Sequence, residues 1–336
     1  MSEALTALGW DDTFAQPYDA YLDTLSADDA GVSVPARVVG VERAAYQLRT
    51  EHGPSEALLA GTLQHAPDGA RVAPAIGDWV VARPIEGEDR YRIVHVLPRK
   101  TTFSRAVNAG GPRRAVSEQV IAANVDVILI VTALDEDFNP PRLGRYVTAV
   151  RASGAQPVIL LNKTDLVPDV LPFLEAARAV SEDVPVHAIR ADAPGGQDAL
   201  RAYLRPGVTV ALIGSSGVGK STLTNALLGR DAALTGEVRA ADRQGRHTTT
   251  SRTLYVVPGG GLLIDNPGLR EIAVWDPNLA AFEEIEALAA QCRFRKCTHT
   301  TEPGCAVQAA VRAGRLDPDR LDAYREQQTT RRARRR

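Results

Sequence analysis

The sequence predicts a multidomain chain: a small N-terminal β-barrel of the OB-fold type, a central α/β domain on a mostly parallel sheet, and a small helical metal-binding domain at the C-terminal end. Three observations predict it. Residues 31–105 hold five short apolar runs separated by Gly, Pro and Asp. From 125 onward, continuous apolar runs alternate with helix-like stretches. The chain has 3 cysteines, and all fall within 292–305 around a histidine.

The elements follow in order. Residues 1–30 form an acidic N-terminal extension with Glu3, Asp11, Asp12, Asp19, Asp23, Asp28 and Asp29 but no Lys or Arg. No basic start followed by an apolar core opens the chain, so no signal peptide is expected and the cytoplasm is the expected location. No apolar run reaches the ~20 residues that span a bilayer, and no membrane partner is expected. The runs VSVPARVVGV, YQLRT, ALLAGTLQ, GDWVVARPI and YRIVHVLPR are the expected barrel strands of 31–105. A barrel of this size suits either RNA binding or plain packing. Residues 106–116, with glycines, a proline and two arginines, read as a linker.

The α/β domain is expected over 117–275. VDVILIVTAL at 125–134 is apolar throughout, as a strand covered on both faces must be. Helices are expected at 141–153, 171–181, 197–204 and 220–228, with Gly229 ending the last. The strands PVILLN, VPVHAI, VTVALIG and GLLID alternate with them. Over 276–328, Leu279, Phe282, Ile285 and Leu288 recur at helical spacing, and Asp317 and Pro318 open a last helix. The tail 329–336 is strongly basic; a solvated end and a contact for nucleic-acid phosphates both fit it.

Five motifs carry chemistry. Gly214, Ser215, Ser216, Gly217, Val218, Gly219, Lys220, Ser221 and Thr222 match a phosphate loop between a buried strand and a helix. Glycines let successive N–H groups turn inward on a phosphate, the helix N-terminus adds its dipole, Lys220 is placed for the β- and γ-phosphates, and the Ser221 hydroxyl for Mg2+. Lysine is scarce here: the 39 basic residues include only Lys100, Lys163, Lys220 and Lys296. Asn162, Lys163, Thr164 and Asp165 end the PVILL strand; a carboxylate there selects guanine, whose N1–H and 2-amino group both donate, and the Lys163 stem can lie across the base. An ATPase would share the loop without this tetrapeptide. Asp265 through Gly268 end the GLLI strand, with Asp265 suited to Mg2+ through water and the Gly268 N–H to the γ-phosphate. Leu269 follows, where many such sites have a water-orienting glutamine. GRHTTT at 245–250 is placed as a switch loop: His247 is a candidate to orient water, or an ordinary surface histidine, and one of Thr248, Thr249 and Thr250 can close on Mg2+. Cys292, Cys297, His299 and Cys305 form a Cys3His set suited to one structural zinc.

The guanine motif precedes the phosphate loop, which precedes Asp265, so the nucleotide domain is circularly permuted. The barrel, this order, GSSGVGKST, GRHTTT, DNPG and the Cys-x4-Cys-x-His-x5-Cys spacing together resemble the ribosome small subunit-dependent GTPase A family of bacteria, over about 31–325. The resemblance implies an OB-fold, a permuted P-loop GTPase domain and a zinc domain. It also implies a protein that binds the small ribosomal subunit late in assembly and hydrolyses GTP in response, with His247 positioning water and the outer domains contacting rRNA. A monomer is expected. One stretch departs from the family: where a Ser-Ala pair usually contacts the base, this chain has Arg190-Ala191-Asp192, leaving the Ala191 backbone as one candidate contact.

Overall fold

The computed structural model describes residues 2–42, 45–64, 73–108, 116–135, 137–229, 252–265, 285, 288–289, 291–294, 297–300, 302–316, 318, 321 and 324–325. His247, Thr248, Thr249, Thr250, Gly268, Leu269, Leu279, Phe282, Asp317 and the tail 329–336 lie outside the described residues. The chain divides into two compact units, Met1–Val274 and Trp275–Arg336.

The acidic extension is folded. It forms α1 (Glu3–Ala7), α2 (Asp12–Leu22) and α3 (Ala27–Val32). Asp11 caps α2 by accepting from the Thr13 N–H at 3.0 Å, and Ser26 caps α3 by accepting from the Asp29 N–H at 3.2 Å. Leu5, Leu8, Trp10, Phe14 and Tyr18 are buried, and the Trp10 ring meets Trp79 edge-on at 4.7 Å. The segment's acidic residues thus surround an apolar stripe that belongs to the main core.

Next come β1 (Val34–Val41), β2 (Tyr46–Thr50), β3 (Gly53–Leu59), α4 (Gly61–Gln64), β4 (Trp79–Pro84) and β5 (Arg90–Val96). They pair in the order β1-β2-β3-β5-β4, and β4 returns to β1, which closes a barrel of the expected OB type. β3 and β5 run parallel and the other pairs antiparallel. Ala36, Val38, Leu48, Ala57, Val80, Ala82 and Ile93 fill the interior. The ALLAGTLQ run is only half strand. Pairing with β2 sets the start of β3 at the more polar Gly53–Glu56, and Gly61–Gln64 turns helical so that Leu63 packs against the barrel core.

β6 (Thr102–Asn108) and β7 (Val116–Ala123) form an antiparallel ladder. Residues 106–108 and 116, expected as linker, are therefore strand ends: Ala106 pairs with Glu118, Val107 with Ser117 and Asn108 with Val116, a pairing that leaves no mark on local composition.

The α/β part contains β8 (Val127–Ala133), α5 (Pro140–Ala152), β9 (Gln156–Asn162), α6 (Leu171–Arg178), β10 (Val186–Ala188), β11 (Thr209–Ile213), α7 (Lys220–Leu228), β12 (Arg252–Val256) and β13 (Leu262–Asp265). The strands lie in the order β10-β9-β8-β11-β13-β12, all parallel except β12. Ile128, Ile130, Ile159 and Leu161 pack with Leu143, Val147 and Val150 of α5; Leu129, Val131, Val158 and Leu160 share the opposite cluster with Leu223 and Leu227 of α7. Two covered faces explain the unbroken apolar runs. The helix expected at 197–204 shrinks to a 3-10 turn at Asp198–Leu200, since Pro206 disfavours helix just ahead of it and Leu200 bonds back to Gln197 at 2.9 Å.

β1 continues past the barrel: Gly40 pairs with Thr253 and Val41 with Arg252. Among the described residues, barrel and α/β strands thus form one 11-stranded sheet. Arg37 of β1 sits at the junction, fully buried. Its guanidinium donates to the carbonyls of Leu8, Gly77 (3.3 Å) and Asn124 (3.1 Å) and to Thr209 Oγ1 (2.9 Å). Burial pulls its pKa down to about 10, opposed by Asp126, Asp78 and Asp11, so it stays charged at neutral pH.

In the second unit, α8 (Ala306–Arg312) packs Val307 and Ala310 with Ile285, Leu316, Leu321 and Tyr324. Ile285, Leu288, Pro318, Leu321 and Tyr324 are helical, as the spacing predicts.

Replacing Arg37 by Met takes the guanidinium donor from the buried Leu8 and Asn124 carbonyls, whereas the Gly77 carbonyl keeps its bond from Asn124 Nδ2 at 3.0 Å. The variant is expected to lose about 3 kcal/mol of unfolding free energy, read from its urea midpoint; an unshifted midpoint would remove Arg37 from the junction.

Candidate phosphate-loop site and metal cluster

The parallel strands β8, β9, β10, β11 and β13 end along one edge of the sheet, where the connecting loops gather. The loop after β11 is held by contacts that exclude side chains. A Cβ on Gly214 (φ +139°) would lie 2.1 Å from the Val131 carbonyl of β8, and one on Gly219 (φ +99°) 2.2 Å from Asn162 Nδ2. Gly217 (φ +84°) needs its glycine for conformation alone. Val218 is buried and anchors the loop, whereas Ser216, Ser221 and Thr222 are exposed and Ser215 is half-buried. Lys220, first residue of α7, is buried, and its ammonium donates to the carbonyls of Gly214 (2.7 Å) and Ser215. The arrangement is an anion-binding turn at a helix N-terminus with a cation folded across it.

The Asn162–Asp165 tetrapeptide begins at the end of β9, two strands away. Asn162 is buried; its Nδ2 donates to the Val218 carbonyl at 2.8 Å, and its Oδ1 accepts from the Ala191 N–H at 3.0 Å. One side chain therefore brackets the phosphate loop, the β9 end and the loop after β10. Lys163 adopts left-handed backbone (φ 60°, ψ 47°) and Thr164–Leu166 make a 3-10 turn, which turns Asp165 outward. Lys163 Nζ lies 3.0 Å from Asp135 Oδ2. The Asp137 N–H, and then Lys163, hold the Asp135 carboxyl below the usual carboxylate range. Asp165 Oδ1 lies 3.6 Å from Arg190 Nε, which also donates to Asp192 Oδ1 at 3.0 Å. Asp265 ends β13, next to β11 in the sheet, and so lies at the same edge as Gly214.

The structure brings together Asn162 to Asp165, Gly214 to Thr222 and Asp265. Gly268 and His247 fall outside the described residues. One residue at this corner was missed from sequence, Asp135, the first acid after the apolar β8 run; Arg190 entered only within the stretch that departs from the family, without a role for its side chain. Ala191, a candidate base contact, is buried with its N–H committed to Asn162.

Cys292, Cys297, His299 and Cys305 converge, with their ligand atoms all within 4.8 Å of one another. Cys292 Sγ lies 3.8 Å from Cys305 Sγ and 3.6 Å from His299 Nδ1, which is 3.4 Å from Cys305 Sγ. Thiolates at about 2.3 Å from a tetrahedral ion sit about 3.8 Å apart, so the set can hold a metal. Cys305 also caps α8, accepting from the Gln308 N–H at 3.4 Å. Burial raises the Cys292 pKa, but the N–H groups of Val307 and Ala306, together with hydrogen bonds from Cys305 and Cys297, leave that thiol lowered. Cys297 is pushed up to about 11, by burial first and then by its sulfur neighbours. Thiols this close cannot all ionise unless a cation joins them.

A model of the RsgA GTPase family matches residues 96–275. A small ribosomal subunit biogenesis GTPase RsgA from Opitutus terrae is 44% identical, aligned over 96% of this chain and 89% of its own. A protein of the same name from Methanosarcina acetivorans is 42% identical over 94% of this chain and 82% of its own. Among solved structures, YjeQ from Thermotoga maritima is similar with a TM-score of 0.54 and 25% identity, covering 88% of this chain and 97% of that one.

A Gly219→Ala variant has no unstrained place for its methyl group. Titration with a fluorescent guanine nucleotide is expected to show at least about tenfold weaker binding; an unchanged affinity would separate this loop from the nucleotide.

Proposed function

This chain belongs to the RsgA GTPase family, and from that premise we propose that it binds the small ribosomal subunit late in its assembly and hydrolyses GTP faster there. Hydrolysis of GTP itself follows from the family. The observation that carries the rest is the joining of a closed OB barrel and a permuted nucleotide domain in one sheet, in a chain that also carries a Cys3His cluster.

The residues take these roles. Backbone N–H groups of Gly214 to Thr222 hold the phosphates, and Lys220 reaches the β- and γ-oxygens once it leaves its loop carbonyls. Asp165 accepts from guanine N1–H and the 2-amino group, and the Lys163 stem covers the base. Asn162 acts by bracketing the loop to β9. Ser221, exposed at the head of α7, and Asp265 at the end of β13 offer the hard oxygen donors that suit Mg2+, which supplies charge neutralisation at the phosphates. Gly268 senses the γ-phosphate. His247 orients the attacking water, since Leu269 has no group to do so. The Cys3His distances fit one structural zinc, which would let the thiolates coexist and would tie Cys305 at the start of α8 to Cys292, Cys297 and His299.

The barrel supplies an rRNA contact. The acidic helices cover the side bearing Arg83 and His95: Asp29 pairs with Arg83 at 2.7 Å and Tyr21 stacks on His95 at 4.1 Å. RNA is left with the β2-β3 side, where strand alternation turns Arg49 away from the interior. Among the described residues no helix is long and apolar enough to cross a membrane. The protein acts in the cytoplasm as a monomer.

Phosphate release from GTP and from ATP, with and without purified small subunits, tests the reading. GTP turnover is expected to rise with subunits while ATP stays inert; indifference to subunits would sink the partner. His247→Ala is expected to bind GTP normally and lose roughly 100-fold in stimulated turnover; retained turnover would exclude His247. Metal analysis is expected to find one zinc per chain, and a strong chelator to lower the melting temperature. A zinc-free native protein would remove the metal from the account.

A further inference from the structure

We propose that Arg190 is a specificity-determining residue that donates a hydrogen bond to O6 of the guanine base. The inference rests on the reading of Asp165 as the guanine carboxylate. The Watson–Crick edge of guanine presents the 2-amino group, N1–H and O6 in a row. A carboxylate that takes the first two has O6 immediately beside it. That oxygen is an acceptor, and enclosing it without a donor costs affinity.

Two features of this chain determine what can donate. The Ala191 N–H of the loop after β10 is committed to Asn162 Oδ1 at 3.0 Å and is buried with it. Arg190, one position earlier, places its Nε 3.6 Å from Asp165 Oδ1. A guanidinium has five N–H donors in a planar fork, a match for guanine O6 that is the commonest specific base contact in nucleic-acid recognition. Asp192 takes Nε at 3.0 Å and reaches one terminal nitrogen at 3.4 Å, which steadies the fork without using all its donors.

The backbone beneath is fixed as well. The Arg190 carbonyl accepts from the Ala193 N–H at 3.1 Å, and the Ile189 N–H bonds to the Leu161 carbonyl at 2.8 Å. Gly196 packs so closely that a Cβ there would meet the Arg190 carbonyl at 1.8 Å. The side chain therefore starts from an anchored point next to the guanine corner. Asp135 on Lys163 and Arg190 on Asp165 act alike, each placing a motif side chain with an opposite charge.

A competing account gives the same contact the opposite sign: Arg190 blocks Asp165 until the base displaces it. Equilibrium binding of GDP, 6-thio-GDP and ADP to the full-length protein separates the two. The thio analogue keeps N1–H and the 2-amino group but replaces O6 by sulfur, a weak acceptor. The wild-type protein is expected to bind GDP about tenfold more tightly than 6-thio-GDP. Arg190→Ala is expected to bind both at the weaker value while still rejecting ADP, because Asp165 is intact. Arg190→Gln, which keeps an N–H donor, is expected to restore part of the preference. Arg190 is exposed, and an unchanged melting temperature checks the fold. A variant that keeps the full GDP preference over 6-thio-GDP, or that binds GDP more tightly, would overturn the proposal. A wild-type protein that fails to distinguish GDP from ADP would instead bring down the guanine reading beneath it.

Discussion

The buried cation of Arg37 is the constraint on which the arrangement of the first unit depends. A guanidinium taken out of water must find acceptors at once, and here each comes from a different part of the chain. Leu8 belongs to the acidic extension, Gly77 to the barrel, Asn124 to the turn ahead of β8, and Thr209 to the first position of β11. β11 runs from Thr209 straight to the phosphate loop. The acidic extension is therefore a wall of the core rather than a charged appendage. Lys100 pairs with its Asp11, and its aromatic rings gather on Trp79.

The same economy of brackets recurs at the nucleotide edge. Asn162 joins three segments far apart in sequence, and glycines at 214 and 219 allow the backbone to close against Val131 and Asn162. Circular permutation leaves this geometry intact for a simple reason. Parallel strands are joined by crossovers, so neighbours in the sheet need not be neighbours in the chain. The order β9-β8-β11-β13 brings Asn162–Asp165, the Gly214–Thr222 loop and Asp265 to one edge whichever comes first in sequence.

The second unit solves a different problem. Its described core is small, centred on Ile285, Val307, Ala310, Leu316, Leu321 and Tyr324. A core of this size gains much from a covalent or metal staple. The Cys3His cluster stands at the N-terminus of α8, where backbone N–H groups already favour a thiolate.

The sequence by itself determined the class of each part. Period-2 and continuous apolar runs mark a barrel strand or a doubly covered strand, because burial on one face or two dictates them. The loop glycines with Lys220, the Asn162–Asp165 tetrapeptide and the cysteine spacing were legible because local backbone and ligand chemistry fix them within a few positions. What the tertiary structure alone decided is long-range: the start of β3, the β6–β7 ladder, the folding of the acidic extension, and the partners of Arg37, Asp135 and Arg190. Each depends on groups far away in the chain, such as Arg37 and Thr209 or Asp135 and Lys163. A run of residues records its own periodicity and turn chemistry, but the partner that satisfies a buried charge is chosen only when distant strands meet.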